Sequence, residues 1–280
     1  MLTTQDRRVR GTYRERAALM EQARRRQYRS QHPHNPLYEV VSDGAWRGER
    51  CFIIGGGPSL RGFDFERLRG AGRVIAINKA YREAPFADVL YFMDNGFYKW
   101  AHEGSLFPGS FEAWQAFGGY KVFLNILGRE YGDVYSVRSL GRVGLSNSLR
   151  MGIYHGNNSG VGAVGLAFIL KANPIYLLGI DCKIDDGRKL SHYHDGYSKR
   201  PMSQAAYRSF KTDFERLCRF IRRTSTKVVN LNPHSAVRCF PFSTVDEVLE
   251  HGEDAAQTLD PEAAAVVDGW RIIKPAAVEV

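Results

Sequence analysis

The stretch CFIIGGGPSL, residues 51–60, decides the fold class of this chain. It begins with four apolar residues in a row, which is typical of a strand buried on both faces of a parallel sheet. Three glycines, a proline and a serine follow directly, so the strand ends in a turn with almost no side chains. The residues Gly55, Gly56, Gly57, Pro58 and Ser59 therefore either bring backbone N–H groups close to a phosphate or form a tight turn.

Short apolar runs and amphipathic stretches alternate through the rest of the chain. The apolar runs predict further strands at 73–77, 89–93, 120–125, 175–179 and 227–231, and the amphipathic stretches predict helices at 65–69, 159–170 and 203–223. Apolar strands separated by helices indicate an α/β, Rossmann-like fold with a mostly parallel sheet and helices on both faces. The mixed segment 101–150 is expected to form a lid or small insertion.

Charge divides the chain into three parts. Residues 1–30 carry nine arginines against three acids, and Pro33 and Pro36 follow, which predicts a basic N-terminal helix and linker over 1–36. Residues 245–280 hold nine acids against two bases, which predicts an acidic tail over 251–280. The main domain is expected between them, at 37–250. The basic helix would dock on this domain or on a second copy of the chain, so a homo-oligomer is one expected arrangement.

Composition limits the partners and the compartment. The net charge of +9 suits an anionic partner such as nucleotide phosphates, nucleic acid or acidic glycans, although arginine-rich helix faces can also be simply solvated. No apolar run approaches the roughly 18–20 residues of a membrane span, and the first residues lack the apolar centre of a secretory signal. Four cysteines lie far apart without a CxxC pair, which favours free thiols in a reducing cytoplasm.

Small polar residues follow several of the predicted strands. Asn78 comes after the second strand, Asp94 and Asn95 after the third, and Asp181 after the strand at 175–179. The glycine turn alone matches neither GxGxxG nor GxxxxGK[ST]. However, the carboxyl ends of parallel strands share one edge of the sheet, so these side chains are expected to meet there, although each one alone is also a normal turn former.

Two further clusters bear on the same site. Asn158, Ser159 and Gly160 precede an apolar helix, whose first N–H groups suit an anion. The run LSHYHDGYSK, residues 190–199, contains His192, His194, Asp195 and Tyr197, and a histidine beside a carboxylate suits a general base because its pKa lies near neutrality. The alternative is a surface loop without a function. The HxH pair has no third ligand at metal spacing, so no metal site is expected.

The blocks IIGGGPSLRGFD, VIAINKAY, NSGVGAVGLAFILKANPIYLLGIDCK, SHYHDGYSK and VVNLNPHSAVRCFP occur in this order over about residues 50–245. In this respect the chain resembles bacterial CMP-sialic-acid-dependent sialyltransferases. It also resembles the related motility-associated-factor glycosyltransferases and hydroxymethylpterin pyrophosphokinases. The resemblance implies a Rossmann-like transferase domain at 37–250 that binds an activated nucleotide, with Gly56–Ser59, Asn78, Asp94, Ser159 and Asp181 at the nucleotide.

The resemblance also implies the catalytic positions and shows where the chain departs from the family. Tyr197 falls at the position of the family's histidine base, so His192 or His194 would take over that role. Lys183 stands where the family has a tyrosine that holds the donor phosphate. Gly156 replaces an arginine ahead of the NSGV block.

The function expected from these features is a glycosyltransferase. It would move a sugar, most simply a CMP-linked acidic sugar, to a hydroxyl of a glycan, a protein or a nucleic acid, without a metal or other cofactor and with a histidine as base. One alternative is an ATP- and Mg²⁺-dependent pyrophosphokinase acting on a pterin-like alcohol, which needs carboxylates around the metal. Another is a nucleic-acid-binding or nucleic-acid-modifying protein that uses the basic residues for phosphate contacts.

Overall fold

In a computed structural model the chain forms a seven-stranded parallel sheet, and the residues described are 35–126, 128–129, 131–184, 192–194 and 202–251. The strands are β1 (Cys51–Ile54), β2 (Arg73–Ile77), β3 (Val89–Phe92), β4 (Tyr120–Asn125), β5 (Tyr135–Arg138), β6 (Ile175–Leu178) and β7 (Val228–Asn230). Their order across the sheet is β5-β4-β3-β2-β1-β6-β7. This confirms the predicted α/β, Rossmann-like architecture, and every strand pair is parallel.

Five α-helices accompany the strands in the described part of the chain. They are α1 (Asn95–His102), α2 (Ser110–Ala116), α3 (Ser159–Ile169), α4 (Gln204–Ile221) and α5 (Val245–His251). Asn158 caps α3 by accepting the N–H of Val161 at 2.9 Å, and Ser203 caps α4 by accepting the N–H of Ala206 at 3.2 Å. Such side-chain caps satisfy N–H groups that have no partner within the helix, so the sequence itself marks both helix starts.

The sheet separates two hydrophobic cores. Along β1, Cys51 and Ile53 point to the core that contains α3 and α4, whereas Phe52 and Ile54 point to the core that contains α1, α2 and α5. This alternation follows from the two-residue period of a strand. Because both faces are covered, all four residues of β1 are fully buried, as the unbroken apolar run predicted.

Most predicted elements are present, with small differences at their ends. The six predicted strands occur within one residue of their expected bounds, and the predicted helix at 65–69 is a 3-10 turn at Phe65–Leu68. The segment 101–150 is part of the sheet and not a separate lid or insertion, because it supplies α2, β4 and the edge strand β5. The predicted basic helix and the acidic tail lie outside the described residues, except for 35–36 and 251.

The order of the strands creates a crevice beside β1. The chain runs from β1 outwards through β2, β3, β4 and β5, and then returns to place β6 on the other side of β1. In such sheets the loops diverge at the point where the order reverses, and ligands bind at the carboxyl ends of the strands there. The glycine turn after β1 and the segment that follows β6 lie on the two sides of this point. Within the described residues, no helix is long and apolar enough to cross a bilayer.

Candidate functional site

A cavity of about 390 Å³ opens at this reversal of strand order. Its volume lies within the range of about 300–1,000 Å³ that is usual for small-molecule sites. Its lining comes from the ends of β1, β2, β3, β4 and β6 and the residues after them, from the start of α3, from α4 and the residue before its cap, and from His192. The lining residues are Gly55–Gly57, Ile77, Asn78, Met93, Asp94, Ile126, Asn157–Gly160, Gly179–Lys183, His192, Met202, Tyr207, Phe210 and Phe214. The predicted convergence of strand ends on one crevice is therefore present in the structure.

The three glycines of the turn have different surroundings. A Cβ on Gly55 would lie 2.6 Å from the carbonyl oxygen of Gly179, and one on Gly57 would lie 2.5 Å from the carboxyl carbon of Asp181. These two glycines are needed because the β1 turn packs directly on the chain that leaves β6. A Cβ on Gly56 would instead lie 3.0 Å from Cδ2 of His192. Gly56 is thus the glycine that separates the turn from residues 192–194, the histidine segment.

Asp181 holds the glycine turn in place. Its Oδ2 accepts the backbone N–H of Ser59 at 2.8 Å, and its Oδ1 accepts the Ser59 hydroxyl at 2.7 Å and the Asn232 side-chain N–H at 2.7 Å. The residue is 2% exposed, so these bonds compensate for the burial of a carboxylate. The carboxylate of Asp181 therefore joins the ends of β1, β6 and β7. Asn232 was not among the predicted site residues.

The ends of β2 and β3 place two polar side chains in the cavity lining. Asn78 adopts a left-handed conformation with a φ of 53°, and its buried Oδ1 has no hydrogen-bond partner among the described residues. Asp94 is exposed at the N-terminus of α1 and makes no capping bond to it. Asn95 does not line the cavity, and its side-chain oxygen accepts the Tyr131 hydroxyl at 2.8 Å. A second left-handed residue, Cys182 with a φ of 48°, also lies in the lining.

The start of α3 forms another side of the cavity. The Oδ1 of Asn158 caps the helix, but its buried Nδ2 has no hydrogen-bond partner among the described residues. Ser159 and Gly160 follow it in the cavity lining. The first N–H groups of a helix lack intrahelical partners and carry the positive end of the helix dipole. This end of α3 can therefore bind an anionic group and can offer it an amide donor as well.

The histidine segment packs against the glycine turn and is hydrogen-bonded to it. The N–H of Tyr193 donates to the carbonyl of Gly56 at 3.0 Å, and the Tyr193 ring packs on Phe65 with centroids 5.5 Å apart. His192 lines the cavity and stacks on His194 with ring centroids 5.1 Å apart, whereas His194 is not part of the lining. Burial, and to a smaller degree the positive charge of Lys79, hold the pKa of His192 below its ordinary value. His192 is thus neutral at pH 7 and able to accept a proton.

Another wall of the cavity is apolar and comes from α4. Tyr207, Phe210 and Phe214 follow one another along one face of the helix, and Met202 precedes it. These four residues were not predicted as part of the site, because apolar residues at helical spacing in a long amphipathic helix normally indicate core packing. On the neighbouring loop, burial raises the pKa of the Cys182 thiol to about 12, so this cysteine is protonated at neutral pH.

The predicted nucleotide-binding residues fall into two groups. Those in the cavity lining are Gly55, Gly56, Gly57, Asn78, Asp94, Asn158, Ser159, Gly160, Asp181 and Lys183. Pro58, Ser59 and Asn95 are not in the lining. Asp195 and Tyr197, which were predicted as catalytic, lie outside the described residues. Among the described residues, no group of three His, Cys, Asp or Glu side chains is arranged to hold a metal ion.

Comparisons with known proteins show a distant structural similarity. No protein-family model and no curated protein matches the sequence. Among solved structures, the chain is similar to a MAf glycosyltransferase from Magnetospirillum magneticum AMB-1, with 14% sequence identity and a TM-score of 0.48. The similar region covers 81% of this chain but 37% of the other protein.

Proposed function

We propose that this protein is a glycosyltransferase that moves a sugar from a nucleotide-activated donor to an acceptor hydroxyl. The observation that carries the proposal is a pair of buried amide atoms, Asn78 Oδ1 and Asn158 Nδ2, which lack hydrogen-bond partners within the described part of the chain although both residues line one cavity at the reversal of strand order. Buried polar atoms are normally hydrogen-bonded, so unpartnered ones in a cavity lining are candidates for ligand contacts. One of these atoms is an acceptor and the other a donor.

The donor phosphate is proposed to bind at the start of α3. Ser159 and Gly160 offer backbone N–H groups there, and Asn158 Nδ2 adds a side-chain donor. Lys183 lies in the lining of the same cavity and adds a positive charge. In the resemblance described above, a CMP-linked acidic sugar is the donor, and we propose this class for the present chain.

His192 is proposed as the general base. It takes the proton of the acceptor hydroxyl while the acceptor oxygen attacks the anomeric carbon of the donor sugar and the bond from that carbon to the phosphate oxygen breaks. The lowered pKa of His192 keeps the imidazole neutral and ready to accept this proton. The negative charge that develops on the leaving phosphate is stabilised by the α3 N-terminus and Lys183, which act without rearranging during the reaction.

Titration calorimetry tests the nucleotide class. The protein is titrated with CMP in the presence of EDTA, and separately with ATP in the presence of Mg²⁺. We expect CMP to bind without a divalent ion, because the proposed phosphate contacts are N–H groups and a lysine. Binding of ATP with Mg²⁺ but not of CMP would contradict the proposal and favour the pyrophosphokinase alternative. Binding of DNA or RNA that weakens steeply with salt, without CMP binding, would favour the nucleic-acid-binding alternative.

Turnover is tested with the same preparation. Incubation with a CMP-linked acidic sugar and a panel of glycan acceptors should give a product heavier by one sugar residue, together with free CMP, both measured by mass spectrometry. Release of CMP with transfer of the sugar to water only would show donor activation without the correct acceptor. A donor that stays intact with every acceptor, although CMP binds, would contradict the transferase assignment.

A further inference from the structure

The apolar wall on α4 has one aromatic ring that remains accessible. Tyr207 and Phe214 are 8% and 1% exposed, whereas Phe210 between them is only half-buried. The rings of Tyr207 and Phe210 are 6.3 Å apart and nearly perpendicular, an edge-to-face arrangement that stabilises aromatic pairs. Tyr207 therefore supports the Phe210 ring from the side. Since all three residues line the cavity, Phe210 is the ring that can present a flat surface to a ligand.

The distance along α4 relates Phe210 to the start of α3. Phe214 touches this start, since a Cβ on Gly160 would lie 2.7 Å from Cζ of Phe214. Phe210 lies four residues earlier in α4, which is about 6 Å along a helix axis. A phosphate bound at Gly160 would thus have the Phe210 ring about one helical turn away. A ribose bridges a gap of this order between the phosphate and the base of a nucleotide.

The α4 wall and the histidine segment are anchored on opposite faces of the sheet. Phe214 packs in the core that contains α3 and α4, whereas Tyr193, the neighbour of His192, packs in the core on the other face. His192 and α4 therefore approach the cavity from different sides. If the transferred sugar lies towards His192, the other end of the donor, its nucleobase, extends towards α4.

We propose that Phe210 is the stacking platform for the nucleobase of the donor, an inference that rests on the proposed function above. The ring offers an aromatic face, so it would take the planar base of a nucleotide whichever base that is. Specificity among bases would come from other contacts. The same wall could instead hold an apolar part of the acceptor, and the experiment is designed to separate these occupants.

The test compares a nucleotide with the same molecule without its base. CMP and ribose 5-phosphate are titrated into the wild-type protein, Phe210→Ala, Phe210→Leu and Phe210→Trp. Phe220→Ala serves as the matched control, because Phe220 is a half-buried phenylalanine of α4 that does not line the cavity. Thermal melting is followed for every variant to measure loss of folding separately from loss of binding.

We expect Phe210→Ala to weaken CMP binding by about 5- to 100-fold, the range found when a stacked base loses its aromatic partner. Ribose 5-phosphate binding should stay unchanged, Phe210→Trp should bind CMP like the wild type, and Phe210→Leu should resemble Phe210→Ala. Equal loss for CMP and ribose 5-phosphate would overturn the inference, because it indicates a general distortion of the site. Unchanged CMP affinity with a raised KM for a glycan acceptor would assign the wall to the acceptor. If the wild-type protein binds no nucleotide, the proposed function and this inference both fail.

Discussion

Asp181 accepts two hydrogen bonds from Ser59, one from the backbone N–H at 2.8 Å and one from the hydroxyl at 2.7 Å. These two hydrogen bonds join the turn after β1 to Asp181, which lies just after β6. They cross the point where the strand order reverses. Both residues had been predicted as nucleotide contacts. The carboxylate of Asp181 uses its oxygens on Ser59 and Asn232 and so positions the glycine turn, and the residue also belongs to the cavity lining.

The first prediction concerns this carboxylate. Asp181→Asn should lower the free energy of unfolding by about 1–3 kcal/mol, because the amide has one acceptor oxygen and turns its NH₂ group towards a donor. Asp94→Asn is the matched control, since Asp94 is exposed and makes no capping bond, and it should change stability by less than about 0.5 kcal/mol. Urea unfolding measures the free energy of unfolding of both variants. Equal stability of the two variants would contradict the positioning role.

The second prediction separates the two histidines. His192→Ala should lower kcat by about 10²–10⁴-fold with donor affinity retained, because the proposed base is lost. His194→Ala should have a much smaller effect, since His194 does not line the cavity. Steady-state kinetics with a CMP-linked sugar measures kcat, and titration with CMP measures the affinity for the donor nucleotide. If His194→Ala reduces kcat as strongly as His192→Ala, the base has been assigned to the wrong residue.

The third prediction follows from the direction of the His192 pKa. The neutral imidazole is the active form, so kcat/KM should fall as the pH decreases through this pKa. Because burial and Lys79 lower the pKa, the fall should occur below the ordinary histidine value of 6.5. A pH profile from 4.5 to 8.5 measures it, and this acidic limb should be absent from the residual activity of His192→Ala. A limb centred above 6.5 would argue against His192.

The fourth prediction uses the glycines of the turn. Gly57→Ala should destabilise the fold by about 1–3 kcal/mol, because the added methyl would overlap Asp181 and the carbonyl of Gly179. Gly118→Ala is the control, since nothing lies within 4 Å of a Cβ there, and it should be nearly neutral. Gly56→Ala should fold but displace His192, and so reduce turnover more than stability. Thermal melting and kinetics on the three variants test this order.

The fifth prediction divides the two functions of Asn158. Asn158→Asp keeps an oxygen that can cap α3, so the melting temperature should stay close to that of the wild type. The same change replaces Nδ2 with a second anionic oxygen, so CMP affinity should fall by at least about tenfold through repulsion of the phosphate. Asn158→Ala should lower both the melting temperature and the affinity for CMP. CMP binding that Asn158→Asp leaves intact would place the phosphate elsewhere.

The sequence predicted the parts of the fold that depend on local pattern. The strand at β1 and the capped start of α3 are examples, because an unbroken apolar run and an Asn before an apolar helix each have a direct physical meaning. The strand β5 was missed because Tyr135–Arg138 is short, lies at the edge of the sheet and has one exposed charged residue. Short edge strands carry little hydrophobic signal.

The site was predictable only where a residue follows a strand or begins a helix. Asn78 and Asn158 were found in this way. Phe210 could not be found, because its approach to the cavity depends on how α4 packs against the sheet, and local sequence does not contain that information. The bond from Asn232 to Asp181 likewise joins residues that are far apart in the chain. The roles of Ser59 and Asp181 depend on a contact between residues far apart in the chain, and so they too required the three-dimensional structure.

The position of β1 at the centre of the sheet has a consequence for how the protein matures. β1 pairs with β2 a short distance along the chain, but its other neighbour, β6, is made more than a hundred residues later. During synthesis the glycine turn is therefore translated early. One edge of β1 stays unpaired until β6 and the segment bearing Asp181 have been translated. Contacts of such long range slow folding. The cavity beside β1 is consequently among the last parts of the nascent chain to become complete.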